Sequence, residues 1–234
     1  MALTADLVAS AAQVVEDAGL VPGMVEMTDE DYRLAVQNVL PRATDGAFWF
    51  FGYGSLLWNA ACEVAESRGA MVHGWHRAFC IRINRFRGTL DGPGLMMALD
   101  RGGLCRGAVF RVPAAQVEES LDRLFRREIL MKPWVYVPRW LTAQTGTGPV
   151  RALGFVVNRS SERYVGKLSL DEVAAILATA AGHRGSCAEY LHNTVAHLDD
   201  LGIRDRNLWR LQGLVAERLK ANLSSPSRAT AHVS

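Results

Sequence analysis

The sequence predicts an α+β fold: a mixed or barrel-like β-sheet with surrounding helices. Three observations lead there. Strand signals crowd the middle of the chain, between residues 48 and 157, with a single helix inserted among them. From about Ser169 the pattern turns helical and stays so. Strands and helices do not alternate regularly, which argues against a doubly wound parallel sheet.

The elements follow in order. Residues 1–46 read as an N-terminal helical extension packed on the domain. Leu7, Val8, Ala11, Ala12 and Val15 recur at helical spacing, and Gly19 stops them. A second helix starts at Thr28, with Asp29, Glu30 and Asp31 at the positive end of its dipole. Phe48, Trp49, Phe50 and Phe51 form a short aromatic run, which reads as a buried strand. Gly52 and Gly54 flank Tyr53 and let the chain turn sharply beside a ligand. Such a turn can present consecutive N–H groups to an anion; a plain strand-ending turn has the same composition. Residues 70–83 read as one or two strands, 88–94 as a loop and 95–99 as a short strand. Gly102 and Gly103 read as a turn, and 105–112 as a further strand. Pro113 suits the first position of a helix. Val117, Leu121, Leu124 and Phe125 then give that helix an apolar stripe ending near Arg127 and Glu128. Strands at 134–141 and 150–157 follow. Ser169 and Glu172 make a capping box, and helices are expected at 170–181, 186–199 and 205–222. The main domain is therefore 47–222, with a flexible tail over 223–234.

Composition narrows the function. The 234 residues are 49% hydrophobic, enough for a sizeable core, and the net charge of +2 is too small to argue for a nucleic-acid partner. No run of 18 apolar residues appears, and the N-terminus lacks the basic region of a signal peptide, so no membrane partner is expected. Cys62, Cys80, Cys105 and Cys187 are scattered and form no C-x-x-C pair. A reduced, cytoplasmic protein with free thiols is the simplest account.

Glu128 is the leading candidate for chemistry. It ends a helix and lies among Leu124, Phe125, Ile129, Leu130 and Met131. The negative end of the dipole and the apolar walls both raise a carboxyl pKa, which suits a general base. Arg126 and Arg127 act in the opposite direction, and the same spacing fits an exposed glutamate in a salt bridge.

Several motifs in a fixed order decide between these readings. They are Tyr53, Gly54, Ser55 and Leu56 after a strand; Arg87, Gly88 and Thr89 with Pro93, Gly94 and Leu95; Arg106 to Val112 before the helix; and Arg127 with Glu128 at its end. Gly185, Ser186, Cys187, Ala188, Glu189, Tyr190 and Leu191 follow, with Asn193, Thr194, His197 and Leu198. In this order they resemble the ChaC-like γ-glutamylcyclotransferases, from about Ala47 to Leu214. The resemblance implies a γ-glutamylcyclotransferase-like fold and a small-molecule substrate, most simply glutathione. The substrate's α-amine would attack its own γ-carbonyl, giving 5-oxoproline and Cys-Gly, with no cofactor and no metal. It implies that Glu128 is the catalytic acid/base and that the N–H groups of Gly54, Ser55 and Leu56 hold the α-carboxylate. Tyr53 and Tyr164 are assigned to the pocket wall and Arg87 to the glycine carboxylate; Tyr164 fits core packing equally well. A monomer or weak homodimer is expected.

Other classes fit less well. A nucleophile elbow or a dinucleotide loop needs glycine where Leu57 stands. Cys187, His192 and His197 are five apart, a spacing that scatters them around a helix rather than gathering them on zinc. Arg82, Arg85 and Arg87 lack the interleaved aromatics of an RNA platform. Two rivals stay open: a cyclotransferase for another γ-glutamyl amine, and a non-catalytic γ-glutamyl-binding or cation-transport regulatory protein on the same fold. A regulator has no need of the base.

Overall fold

The long middle strands close on themselves. In the computed structural model, which describes residues 1–43 and 47–224, the chain runs α1 (Ala5–Ser10), β1 (Val25–Glu26), α2 (Asp29–Ala43), β2 (Trp49–Gly52), β3 (Glu66–Ile83), β4 (Gly94–Arg111) and α3 (Val117–Glu128). Then come β5 (Met131–Lys132), β6 (Tyr136–Thr145), β7 (Gly148–Val157), α4 (Leu170–Leu177), β8 (Ala181–Gly182), β9 (Gly185–Ser186), α5 (Cys187–Asp200) and α6 (Arg206–Ser224). Strands β2, β4, β3, β6 and β7 form a closed barrel in that order, and β2 pairs in parallel with β7. Closure leaves no free sheet edge.

Strand β2 explains its own composition. All four of its residues are buried, because alternate side chains face two different cores. Trp49, Phe51 and Tyr53 join a core shared with α4, α5 and α6. Phe48 and Phe50 join a second core, built with α2 and α3. A strand covered on both faces reads as continuous apolar sequence.

Two sequence expectations change. The expected strands at 95–99 and 105–112 are one long strand, β4 (Gly94–Arg111), not two joined by a turn. Gly102 and Gly103 sit opposite the single residue Gly74, between the pairs His73–Leu104 and Trp75–Arg101. All three glycines have positive φ, so the pair makes a bulge that bends the hairpin without ending it. The extension is also not purely helical: β1 pairs with β5, and Met27 N–H donates to Leu130 O. The expected tail boundary at 223 falls inside α6, and 225–234 lie outside the described residues. The extension is fastened to the domain: Gln212 Oε1 accepts from the N–H groups of Ala2 and Leu3 at 2.8 and 2.7 Å, and Asp17 pairs with Arg85.

Candidate active site

A cavity of about 470 Å³ opens where β2 leaves the barrel and α3 ends. Residues 53–56 and Glu128, far apart in sequence, form its walls together. Each arrives there for a local reason. A Cβ on Gly52 would come within 2.7 Å of the Phe110 ring, and one on Gly54 would press on Met97 and the Tyr190 hydroxyl at 3.1 Å, so glycine fits both positions most easily. The chain can therefore leave β2 in a tight 3-10 turn over Ser55–Leu57, closed by Leu57 N–H donating to Gly54 O at 2.9 Å. The N–H groups that open such a turn have no acceptor within it.

Glu128 sits three, four and seven residues after Phe125, Leu124 and Leu121, on the buried stripe of α3. Its side chain is only 14% exposed. Burial raises its pKa; Arg127, whose Nε donates to Glu128 Oε1 at 3.1 Å, opposes that effect without cancelling it. Three tyrosines stand around this carboxylate. Tyr53 Oη donates to Phe155 O at 2.9 Å and Tyr136 Oη to Met97 O at 3.0 Å, while Tyr190 packs its hydroxyl against Gly54. Burial, with the Glu128 charge adding to it, keeps all three hydroxyls protonated far above neutral pH. The result is one poorly solvated carboxylate, charged or neutral according to its proton alone, in a wall of fixed dipoles.

Arg87 also lines the cavity. Its Nη1 donates to Glu189 Oε2 at 2.6 Å and to Ser186 O at 2.8 Å, and its guanidinium lies over the Tyr190 ring. The charge of Arg87 is thus balanced inside the protein. Gly94 packs against Arg87 O and Cys187 Sγ, which fixes this loop against α5. Tyr164 is placed differently from the expectation. It is not among the residues lining the cavity; its hydroxyl donates to Asp100 Oδ2 at 2.8 Å. Asp100 is 5% exposed and needs donors, and Arg159 Nε at 2.6 Å together with Tyr164 supplies them. Burial alone would raise the Asp100 pKa, but these donors hold it below the usual value.

Among the described residues no group of three or more His, Cys, Asp or Glu side chains could hold a metal ion. His192 and His197 instead bond to Leu3 O and Asn193 O. No described helix is long and apolar enough to cross a membrane.

The model of ChaC-like proteins matches residues 48–218. This chain belongs to the ChaC-like family. A relative from Escherichia coli (strain K12), a glutathione-specific gamma-glutamylcyclotransferase, is 36% identical over 182 residues, covering 77% of this chain and 78% of that one. Human glutathione-specific gamma-glutamylcyclotransferase 1 is 30% identical over 152 residues, 62% of this chain and 67% of its own. Among solved structures, a gamma-glutamyl cyclotransferase specific to glutathione from yeast superposes with a TM-score of 0.67, covering 74% of this chain and 96% of that one at 20% identity, and so shares the fold. The family match begins at Phe48, one residue before β2, and leaves α1, β1 and α2 outside it.

Sequence reasoning missed part of this ChaC-like site. Trp58, Tyr136, Arg163, Arg184, Tyr190 and Asn193 all line the cavity. Tyr190 and Asn193 lie within a stretch that carried the resemblance, but nothing in their spacing marks them as facing the turn at 53–56. Tyr136 opens a strand of mixed composition, and Arg163 and Arg184 sit in short loops whose direction only the tertiary fold sets.

Proposed function

We propose that this ChaC-like protein is a glutathione-specific γ-glutamylcyclotransferase that forms 5-oxoproline and Cys-Gly. The observation that carries the reading is the burial of Glu128 in the same cavity as residues 53–56. The two similar enzymes from Escherichia coli and human, both named for this reaction, support it.

The reaction asks little of an enzyme beyond shape and a proton carrier. The α-nitrogen bonds to the γ-carbon, the amide C–N bond breaks, and no water enters. The attacking nitrogen begins as an ammonium and ends as a lactam N–H, so it sheds two protons. The leaving nitrogen begins as an amide N–H and ends as an ammonium, so it gains two. Glu128 takes a proton from the first nitrogen and delivers one to the second. A carboxyl with raised pKa suits both halves of that task near neutrality. The N–H groups of Gly54, Ser55 and Leu56 hold the α-carboxylate, which folds the glutamyl arm so that amine and carbonyl meet; the intramolecular geometry supplies much of the rate. Tyr53 and Arg87 contribute to the walls that bind the substrate.

Residues 47–222 are the catalytic domain in this reading, and 1–46 a buttress beside the cavity. The protein works in the cytoplasm on a small molecule, as a monomer or weak homodimer, without cofactor. The test is turnover of glutathione in ¹⁸O-labelled water, followed by mass spectrometry. Unlabelled 5-oxoproline with an equal amount of Cys-Gly is expected. Labelled glutamate would mean hydrolysis, and no product from glutathione or other γ-glutamyl compounds would sink the proposal.

A further inference from the structure

The cavity is lined by four arginines, Arg87, Arg127, Arg163 and Arg184, against the single carboxylate of Glu128. They differ in how their charge is met. Arg87 is paired with Glu189 and Arg127 with Glu128. Arg163 and Arg184 have no carboxylate within salt-bridge distance among the described residues. Arg163 Nε donates to the carbonyl of Arg82 at 3.0 Å, which fixes the guanidinium while leaving its two terminal nitrogens for something else. Arg184 stacks on the Phe86 ring at 4.5 Å and is exposed at the rim. Burial disfavours the charged form of Arg163. A partly desolvated guanidinium without a counter-ion is a cost that an incoming anion relieves.

Position says which anion. Arg163 lines the same cavity as Glu128 but is anchored to Arg82 of β3, an element separate from the turn at 53–56. The α-carboxylate is already assigned to the turn at 53–56. The other end of a γ-glutamyl substrate is its leaving group. We infer that Arg163 is a specificity-determining residue that binds a carboxylate carried by the leaving amine, so that the site selects γ-glutamyl compounds whose leaving group is an anionic peptide over those that release a neutral amine. This rests on the proposed cyclotransferase reading. Planar guanidinium donors suit a carboxylate better than a lysine would.

The experiment compares glutathione with its glycine monoethyl ester, which differs only in lacking that carboxylate, in the intact protein and in Arg163→Ala and Arg184→Ala. For the intact protein kcat/KM should favour glutathione by about ten- to a hundredfold, the range a hydrogen bond to a charged group supplies. In Arg163→Ala that ratio should collapse to within about twofold, through KM rather than kcat, and Arg163→Lys should fall between. Thermal melting establishes that each variant is folded. Equal losses on both compounds, an intact protein that does not discriminate, or a preference abolished by Arg184→Ala but not by Arg163→Ala would each overturn the assignment. Calorimetric titration of both compounds into Glu128→Gln, with and without Arg163→Ala, gives the same comparison without turnover. Should no compound be turned over, the proposed function fails, while this binding ratio still decides the role of Arg163.

Discussion

Arg77 Nε donates to the backbone carbonyl of Tyr53 at 2.6 Å. One strand of the barrel thereby holds the first residue of the turn that shapes the cavity. Arg77 is 6% exposed; it also donates to Arg106 O and pairs with Asp205 at 3.1 Å. Replacing it with Met removes the donor of the buried Tyr53 carbonyl and of Arg106 O, and the counter-charge of Asp205. Arg77→Met should lose on the order of 3 kcal/mol in urea unfolding and raise KM, because the turn is no longer held. A loss below about 1 kcal/mol would mean that the turn is fixed by its glycines alone.

Arg127 tunes Glu128. It is the influence that lowers a carboxyl pKa otherwise raised by burial. Removing it lets that pKa rise further. The acidic limb of the kcat/KM profile of Arg127→Ala should therefore move to higher pH than in the intact protein. A shift to lower pH would show that Glu128 is not the group being titrated.

The same carboxyl links pH to stability. Its folded pKa lies above the ordinary 4.5, so the proton is bound more tightly in the folded state. That contribution is complete below the unfolded pKa and is lost as pH rises through the folded one. Gln does not titrate. Glu128→Gln should therefore gain stability relative to the intact protein as pH climbs from about 4 to about 7, by about 1.4 kcal/mol for each tenfold that burial strengthens proton binding. Urea unfolding at the two pH values measures it, and a difference independent of pH would contradict the burial of this charge.

Gly94 holds the Arg87 loop by close approach. A Cβ there would lie 2.5 Å from Arg87 O and 2.7 Å from Cys187 Sγ, and the first of these is backbone. Gly94→Ala should cost about 1–3 kcal/mol and reduce kcat/KM, since Phe86 and Arg87 line the cavity. Full retention of both would mean that the loop moves freely.

Much of this was legible in the chain, and the reasons are physical. The run from Phe48 to Phe51 announces a strand because every one of its side chains is buried, and the stripe of α3 announces a helix because its period is 3.6. Glu128 was visible as a carboxylate among apolar residues, but its burial was not. Leu121, Leu124 and Phe125 place it on the buried stripe, whereas Arg126 and Arg127 suggest an exposed end, and only packing decides. Gly102 and Gly103 looked like a turn because a bulge uses the same residues; the difference lies in Gly74 across the ladder, which local sequence does not pair with them. Tyr164 looked available for the pocket, and the buried Asp100 that claims its hydroxyl lies 64 residues earlier. The arginine set at the cavity comes from four separate segments, so no local pattern could assemble it.

The central claim is that Glu128 moves the protons of an intramolecular cyclisation. The measurement that tests it most directly is 5-oxoproline formation from glutathione by the intact protein and by Glu128→Gln, with glutathione binding to each followed by calorimetry. The account predicts that the variant binds within a few-fold of the intact protein and turns over about 10²- to 10⁴-fold more slowly. A variant that binds glutathione and keeps turnover within about tenfold would remove Glu128 from the chemistry.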